Sequence, residues 1–227
     1  MTWAVVPAAG RGLRAGGEIP KQYRALLGKP LIEHTLRRLA SHPRIEGIVV
    51  AIAADDAHWP GWGALEGKPL IATHGGGERA DSVLAGLRSL PESVRGEDFV
   101  LVHDAARPCV LHADLSALLE CASPDGALLA VPLADTLKQA DAHRHSARTV
   151  PREGLWRALT PQMFSRAALV SALEAAARDG VAVTDEAMAM ERAGFTPQLI
   201  EGATDNLKVT TAQDFLLAEF LLRGQDK

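Results

Sequence analysis

Short apolar runs separated by polar, glycine-rich stretches recur along most of the chain. These runs hold few polar residues and are bounded by turn-forming residues. Continuous apolar runs of this length are typical of strands that are buried on both faces of a parallel sheet. The predicted strands cover residues 3–6, 45–53, 69–73, 99–103, 127–131 and 197–201.

Between these runs, apolar residues recur three and four positions apart, a spacing that predicts helices. In the first such segment Ile32, Leu36 and Leu39 fall on one face. Thr184 stands just before a later segment and is predicted to be its N-cap. The predicted helices cover residues 31–40, 82–90, 113–122, 165–177, 185–193 and 212–222.

The order of these elements predicts an α/β fold. Strands that alternate with helices through short connections form an open, mostly parallel, twisted sheet, here in a Rossmann-like single domain over residues 1–227. The alternation breaks from residue 133 to 151, which is polar and weakly periodic. Extended limbs at 136–138 and 148–150 predict a projecting β-arm at about 133–152, with a disordered excursion as the alternative.

Charge and composition exclude several classes of protein. The formal net charge of −4 gives no general attraction to nucleic acid or to an anionic membrane, so neither is predicted as a partner. No apolar stretch approaches the roughly 20 residues that cross a bilayer. Cys109 and Cys121 form neither a disulfide framework nor a metal-binding spacing. These features predict a soluble, cytoplasmic protein.

The stretch after the first strand, PAAGRGLRAGGEIPK, has the features of a phosphate-binding loop. Ala8, Ala9 and Gly10 carry almost no side chain, so backbone N–H groups can close around an anion. Arg14 and Lys21 add positive charge to the same loop. Because ligands bind at the carboxyl ends of strands in such sheets, we expect a triphosphate here.

Two alternatives for this loop remain open. Residues 10–15 also match the G-x-G-x-x-G/A dinucleotide fingerprint, which requires a helix that opens on the glycines. Gly16, Gly17 and Pro20 would break such a helix, which disfavours an NAD-binding enzyme. A plain surface turn with solvated arginines is the second alternative.

Two further loops follow predicted strands and should lie at the same edge of the sheet. GGGERADS contains Gly76 and Ser82, and HDAARP contains Asp104. A lone carboxylate is sufficient protein ligation for Mg²⁺ that is also bound by phosphate oxygens and water. Asp205, after the last strand, is the candidate second carboxylate. For either aspartate, a turn or helix cap is the structural alternative.

Three more cationic residues lie at the ends of other segments. Arg107, Arg152 and Lys208 are candidates to position a second, anionic substrate, since a phosphate must be oriented for in-line attack on another phosphate. Each taken singly would be a solvated surface charge. We find no nucleophilic triad and no local zinc-ligand spacing among the histidines. Together the loops and cations favour a two-substrate transferase.

Six motifs in order make the chain similar to the 2-C-methyl-D-erythritol 4-phosphate cytidylyltransferases. The resemblance implies a glycosyltransferase-A-like nucleotidyltransferase fold and a homodimer joined through the arm. It also implies the transfer of CMP from CTP to 2-C-methyl-D-erythritol 4-phosphate, with Mg²⁺, in the non-mevalonate isoprenoid pathway. The motifs are VVPAAGRGLR with PKQY, GGGERADSV, VHDAARP, LTPQ, TDEA and DNLKVT.

The resemblance also implies a role for individual residues. Small residues of the first two loops line the nucleotide, Asp104 lies by the ribose and metal, and cations stabilise the transition state or position the acceptor. The implied nucleotide-binding residues are Ala8, Ala9, Gly10, Gly76 and Ser82, the transition-state stabilisers Arg14 and Lys21, and the acceptor-positioning residues Arg152, Lys208 and, from the neighbouring subunit, Thr136.

Three rival functions remain at this stage. A cytidylyltransferase for another sugar-alcohol phosphate, such as ribitol 5-phosphate, would use the same fold and the same loops. A regulatory protein could bind CTP without turning it over, although it would not need Arg14, Lys21 and Asp104 together. A Rossmann oxidoreductase is the third alternative.

Overall fold

The computed structural model describes residues 2–10, 19–121 and 123–225, so the predicted Arg14 lies outside the described residues. Within these ranges the chain forms twelve strands and six α-helices, with a short 3-10 helix at Lys21–Tyr23. The strands are β1 Thr2–Pro7, β2 Ala25–Leu26, β3 Lys29–Pro30, β4 Ile45–Ile52, β5 Ala64–Leu65, β6 Lys68–His74, β7 Phe99–Val102, β8 Ala127–Pro132, β9 Leu137–Ala140, β10 Ser146–Val150, β11 Trp156–Ser165 and β12 Gln198–Glu201. The helices are α1 Leu31–Ala40, α2 Arg79–Arg88, α3 His112–Glu120, α4 Arg166–Arg178, α5 Glu186–Arg192 and α6 Ala212–Gln225.

Eight of these strands form one sheet in the order β12-β8-β11-β7-β1-β4-β6-β5. β1 pairs in parallel with β4 and β7, β4 with β6, and β8 with β12. β11 runs antiparallel between β7 and β8, and β5 closes one edge in the antiparallel sense. The predicted single-domain α/β fold with a mostly parallel sheet is confirmed.

Helices cover both faces of the sheet because its strands are apolar on both faces. Along β1, Ala4 and Val6 face one core cluster, whereas Trp3 and Val5 face the other. The first cluster includes side chains of α1 and α3, and the second includes side chains of α2, α4 and α5. Gly86 lets α2 approach β1 closely, since a Cβ there would lie 2.4 Å from Cγ1 of Val5. This packing places the first turn of α2 beside the end of β1.

One sequence-based prediction about these elements is wrong, and four strands, β2, β3, β5 and β11, were not predicted. The strand β11 was not predicted, because its sequence contains Pro161 and polar residues and its register shifts between Ala158 and Gln162. Thr184 does not cap α5; Asp185 does, because its side chain accepts a hydrogen bond from the backbone N–H of Met188 at 3.0 Å. The other predicted strands and helices are present, with ends displaced by a few residues.

The polar segment between β8 and β11 forms a hairpin that extends from the sheet. β9 and β10 pair antiparallel, and their side chains are almost all exposed. The backbone N–H of Leu133 donates to the carbonyl of Leu155 at 3.1 Å and closes the base of this arm. None of the described helices is both long enough and apolar enough to cross a lipid bilayer.

Candidate active site

A cavity of about 290 Å³ lies where the loops after β1, β6 and β7 meet. It lies at the carboxyl ends of these parallel strands, where an open α/β sheet binds its ligands. Eight of the residues predicted from the sequence line it: Ala8, Ala9, Gly10, Lys21, Gly76, Ser82, Asp104 and Lys208. The remaining lining residues are Pro7, Gln22, Gly77, Glu78, Arg79, Ala105 and Ala106.

The described part of the first loop is held in place by a buried glutamine. Nε2 of Gln22 donates to the carbonyl oxygens of Ala8 at 2.9 Å and of Gly10 at 3.0 Å. Lys21, one residue earlier, donates from Nζ to the carbonyl of Val209 at 2.6 Å. The short 3-10 helix therefore fixes the loop and places an ammonium group in the cavity.

The second loop packs directly against the first because it contains glycine where they meet. A Cβ on Gly75 would lie 2.7 Å from Cβ of Ala9 and 2.6 Å from Oγ of Ser82. A capping box between Glu78 and Asp81 then starts α2 at the cavity wall. Small side chains of both loops therefore line the cavity side by side.

Asp104 is the acidic centre of the site and is surrounded by three cations. Its Oδ1 accepts a hydrogen bond from Nε of Arg79 at 3.0 Å, and its Oδ2 lies 2.9 Å from Nζ of Lys208 and 3.5 Å from Nε of Arg107. Burial alone would raise the pKa of this carboxyl group, but the three cations outweigh burial and hold the pKa well below its usual range. The side chain is therefore ionised at neutral pH.

The loop that carries Asp104 is fixed by His103, which is fully buried. The backbone N–H of Asp104 donates to Oγ1 of Thr160 at 3.0 Å, and that oxygen lies 3.0 Å from Nδ1 of the histidine. Nε2 lies 3.0 Å from the carbonyl of Arg107. A neutral imidazole protonated at Nε2 satisfies all three contacts, because the threonine hydroxyl can then donate to Nδ1. Burial lowers the pKa of His103 to about 4, which keeps this neutral form at pH 7.

The segment after β12 is tied to the same loop and carries Lys208 to the cavity. The backbone N–H of Val209 donates to the carbonyl of Ala106 at 2.8 Å. Nη1 of Arg107 donates to the carbonyl of Asn206 at 2.7 Å. Residues about a hundred positions apart in the sequence thus form one wall of the cavity.

Several predicted site residues do not line the cavity. Arg107 is buried behind Asp104, whereas Thr136 and Arg152 are exposed on the arm, where Arg152 contacts the carbonyl of Ala134. Asp205 lies close enough to Asp114 and Cys109 to raise the pKa of both, although burial is the larger cause. The structure thus brings together the nucleotide-loop residues but not the predicted carboxylate pair or the arm residues.

Among the cavity residues that received no role from the sequence, Arg79 and Gln22 are two whose side chains hold other parts of the site. Both lie inside quoted motifs, GGGERADSV and PKQY, so their position in a loop was the available signal. Gln22 acts on backbone carbonyls, and no local pattern reveals such a contact. Outside the cavity Arg79 is hydrogen bonded to Glu186, which is 107 residues away in the sequence.

Acidic side chains are sparse at the site. Across the described ranges, no three His, Cys, Asp or Glu side chains lie close enough together to hold a metal ion. Asp104 is the carboxylate that is directed at the cavity cations, and the side chain of Lys208 beside it is 42% exposed. One carboxylate of this kind fits Mg²⁺ that is bound mainly by phosphate oxygens and water.

Comparison with known proteins agrees with this geometry. The solved structures it resembles place the chain among the nucleotidyltransferases. A crystal structure of 4-diphosphocytidyl-2C-methyl-D-erythritol synthase is 35% identical, with a TM-score of 0.83 and coverage of 97% of this chain and 98% of that one. The 2-C-methyl-D-erythritol 4-phosphate cytidylyltransferase of Francisella tularensis is 31% identical, with a TM-score of 0.82 and coverage of 97% and 99%.

The family model for 2-C-methyl-D-erythritol 4-phosphate cytidylyltransferase matches residues 2–224, and the chain belongs to this family. A relative with that name from Xanthomonas campestris pv. campestris (strain B100) is 57% identical over 99% of this chain and 86% of its own length. Another from Xanthomonas oryzae pv. oryzae (strain PXO99A) is 59% identical over 97% and 82%. The resemblance drawn from the motifs is confirmed: the chain is an enzyme, a cytidylyltransferase, and the oxidoreductase and sensor alternatives are set aside.

Proposed function

We propose that this cavity binds CTP and transfers CMP to 2-C-methyl-D-erythritol 4-phosphate, with release of pyrophosphate. The product is 4-diphosphocytidyl-2-C-methyl-D-erythritol, in the non-mevalonate isoprenoid pathway, and the reaction takes place in the cytoplasm, where nucleoside triphosphates are available. The observation that carries the proposal is that Lys21, Lys208 and Asp104 meet the two glycine-rich loops in one cavity. The names of the close relatives from Xanthomonas support the same reaction.

The chain catalyses this reaction by positioning and by charge. An oxygen of the acceptor phosphate attacks the α-phosphorus of CTP, a new P–O bond forms, and the bond to the bridging oxygen breaks, which releases pyrophosphate. Backbone and hydroxyl groups of the two loops, including Ser82, hold the nucleotide. Lys21 stabilises the negative charge that grows at the α-phosphate in the transition state, and we assign the same role to Arg14 from its motif alone. Lys208 and the partner's arm orient the acceptor phosphate, whereas Arg107 supports Asp104 from outside the cavity.

The site fits a Mg²⁺ ion whose ligands come mainly from the triphosphate and water rather than from protein side chains. Asp104 is the residue that would hold the ion, together with phosphate oxygens and water. When bound, Mg²⁺ would neutralise charge on the triphosphate and on departing pyrophosphate. Asp205, predicted as a second ligand, is not among the residues that line the cavity, and we base no step on it.

The acceptor can be tested by measuring pyrophosphate release from CTP and Mg²⁺. We expect release with 2-C-methyl-D-erythritol 4-phosphate and little with ribitol 5-phosphate or without an acceptor. The polyol part of the acceptor must fit the site before the acceptor phosphate is aligned for attack on CTP. Release with ribitol 5-phosphate alone would keep the chemistry and change the acceptor. CTP binding with no release from either acceptor would contradict cytidylyl transfer.

We propose further that two copies of the chain associate through the arm. Support comes from the exposed hairpin and from a depression at its base that Leu155, Trp156 and Leu199 line together with Asp185 and Glu191. These two leucines and the tryptophan are 37% to 43% exposed, which is unusual for large apolar residues. Thr136 and Arg152 would then approach the site of the neighbouring subunit.

Light scattering should give the mass of two chains. Trp156→Lys should shift the mass toward one chain, because it replaces a partly exposed, large apolar side chain by a charge. Phe220→Lys is the control, since this residue is 73% exposed on α6 and outside the depression. A parent protein with the mass of one chain at assay concentration would contradict the dimer.

A further inference from the structure

Glu186 is a buried carboxylate that lies outside the cavity yet is connected to it through one residue. It is 1% exposed at the start of α5 and is not among the residues that line the cavity. Its two oxygens accept hydrogen bonds from Nη1 and Nη2 of Arg79, at 2.5 and 3.1 Å. A bidentate contact of this kind fixes the plane of the guanidinium as well as its position.

The same guanidinium reaches into the cavity. Arg79 lines it and donates from Nε to Oδ1 of Asp104 at 3.0 Å. The other carboxylate oxygen, Oδ2, lies 2.9 Å from Nζ of Lys208. Glu186 is therefore the outer end of a chain of four side chains whose charges alternate in sign and whose inner end is in the cavity.

The start of α5 is fixed to the sheet, which makes Glu186 a rigid reference point. Gln162 on β11 accepts a hydrogen bond from the backbone N–H of Ala187 at 2.8 Å and donates to Asp185 at 3.0 Å. β11 pairs in turn with β7, the strand that leads into the loop of Asp104. Glu186 and Asp104 are thus attached to neighbouring strands.

We infer that Glu186 is a positioning residue for cytidylyl transfer, which holds Arg79 so that Asp104 and Lys208 keep their places in the cavity. The inference rests on the proposed function. Without the charge on Glu186, the guanidinium of Arg79 has Asp104 as its one remaining carboxylate partner and can turn its terminal nitrogens toward both oxygens. This turn draws Oδ2 away from Lys208, the cation proposed to orient the acceptor phosphate. A misplacement of about 1 Å can lower the rate by about a hundredfold.

Glu186→Gln is the primary variant, because it keeps the shape of the side chain and removes its charge. We expect kcat/KM for the acceptor to fall about 30-fold, with the Kd of CTP within about threefold of the parent. Glu186→Asp keeps the charge on a shorter side chain and should recover part of this loss. The control is Glu174→Gln, which breaks the exposed ion pair with Arg88 on the surface and should keep the parent kinetics.

A double-mutant cycle shows whether Glu186 acts through Arg79. In the background of Arg79→Met, the further change Glu186→Gln should lower kcat/KM by less than about twofold, because the link to Asp104 is already missing. All rates are normalised to the folded fraction measured by circular dichroism at the assay temperature. Arg79→Met leaves a buried carboxylate unpaired and could fail to fold for that reason. In that case the kinetics of the double variant, and of Glu186→Gln against Glu186→Asp, test whether the charge on Glu186 acts through Arg79.

Two results would overturn the inference. One is parent kinetics in folded Glu186→Gln with only a lower unfolding temperature, which would make Glu186 a purely structural residue. The other is a loss of kcat/KM from Glu186→Gln that is as large in the Arg79→Met background as in the parent enzyme. That result would show that Glu186 affects the rate without Arg79. Absence of pyrophosphate release from the parent enzyme would refute the proposed function instead, so the two failures are distinguishable.

Discussion

Replacing Lys21 by methionine should lower kcat by about 10²–10³-fold while the Kd of CTP changes by less than about tenfold. Methionine keeps the length and most of the volume of the side chain and removes its charge. The ammonium group lies in the cavity, and its contact with the carbonyl of Val209 at 2.6 Å holds it there. A fixed cation is worth more against the charge that develops at the α-phosphate than against the ground state, so the loss should fall on turnover.

The measurement is single-turnover product formation at saturating CTP, with CTP affinity measured separately by calorimetry. Lys29→Met is the matched control, because this lysine is nearby in the sequence, 50% exposed and paired with Glu33. It should leave both quantities unchanged. Equal losses in kcat and in CTP affinity for Lys21→Met would show that the lysine contributes uniform binding, and would contradict its assignment as a transition-state stabiliser.

The sequence predicts the strands well where a strand is buried on both faces. Val5 and Val6 face opposite cores and are both fully buried, so the run is apolar without alternation and can be recognised. The loops at the ends of such strands could then be placed at one edge of the sheet. This step placed the residues that follow β1 and β7 around one cavity, whereas Gly76, Ser82 and Lys208 follow strands that are only partly buried.

The contacts that fix the site could not be predicted in this way. β11 carries polar residues and Pro161, and its burial depends on the two strands that flank it. Asp104 receives its cations from α2, from its own loop and from the segment after β12, which are brought together only by the fold. Glu186 meets Arg79 across 107 residues, and neither residue belongs to a local pattern that points to the other.

The stability of the enzyme should fall as the pH is lowered from about 6.5 to about 4, in part because of His103. The pKa of this histidine is lowered to about 4 by burial, against 6.5 for the unperturbed side chain. In this window the unfolded chain binds a proton that the folded chain does not bind, so the free energy of unfolding rises with pH across it. A difference of about 2.5 units at about 1.36 kcal/mol per unit gives about 3 kcal/mol.

His103→Gln should remove the part of this slope that His103 contributes, because glutamine can still hydrogen bond to the neighbouring groups and does not titrate. Denaturant unfolding of parent and variant at several values of pH from 4 to 7.5 measures it. His42 is also buried with a lowered pKa, but it is present in both proteins and cancels in the difference. His143→Gln, on the exposed arm, should reproduce the parent curve.

A variant at position 103 that keeps the full slope would show that His103 already binds a proton in the folded state. It would also contradict the neutral imidazole that orders the hydrogen bonds around Thr160 and the loop of Asp104.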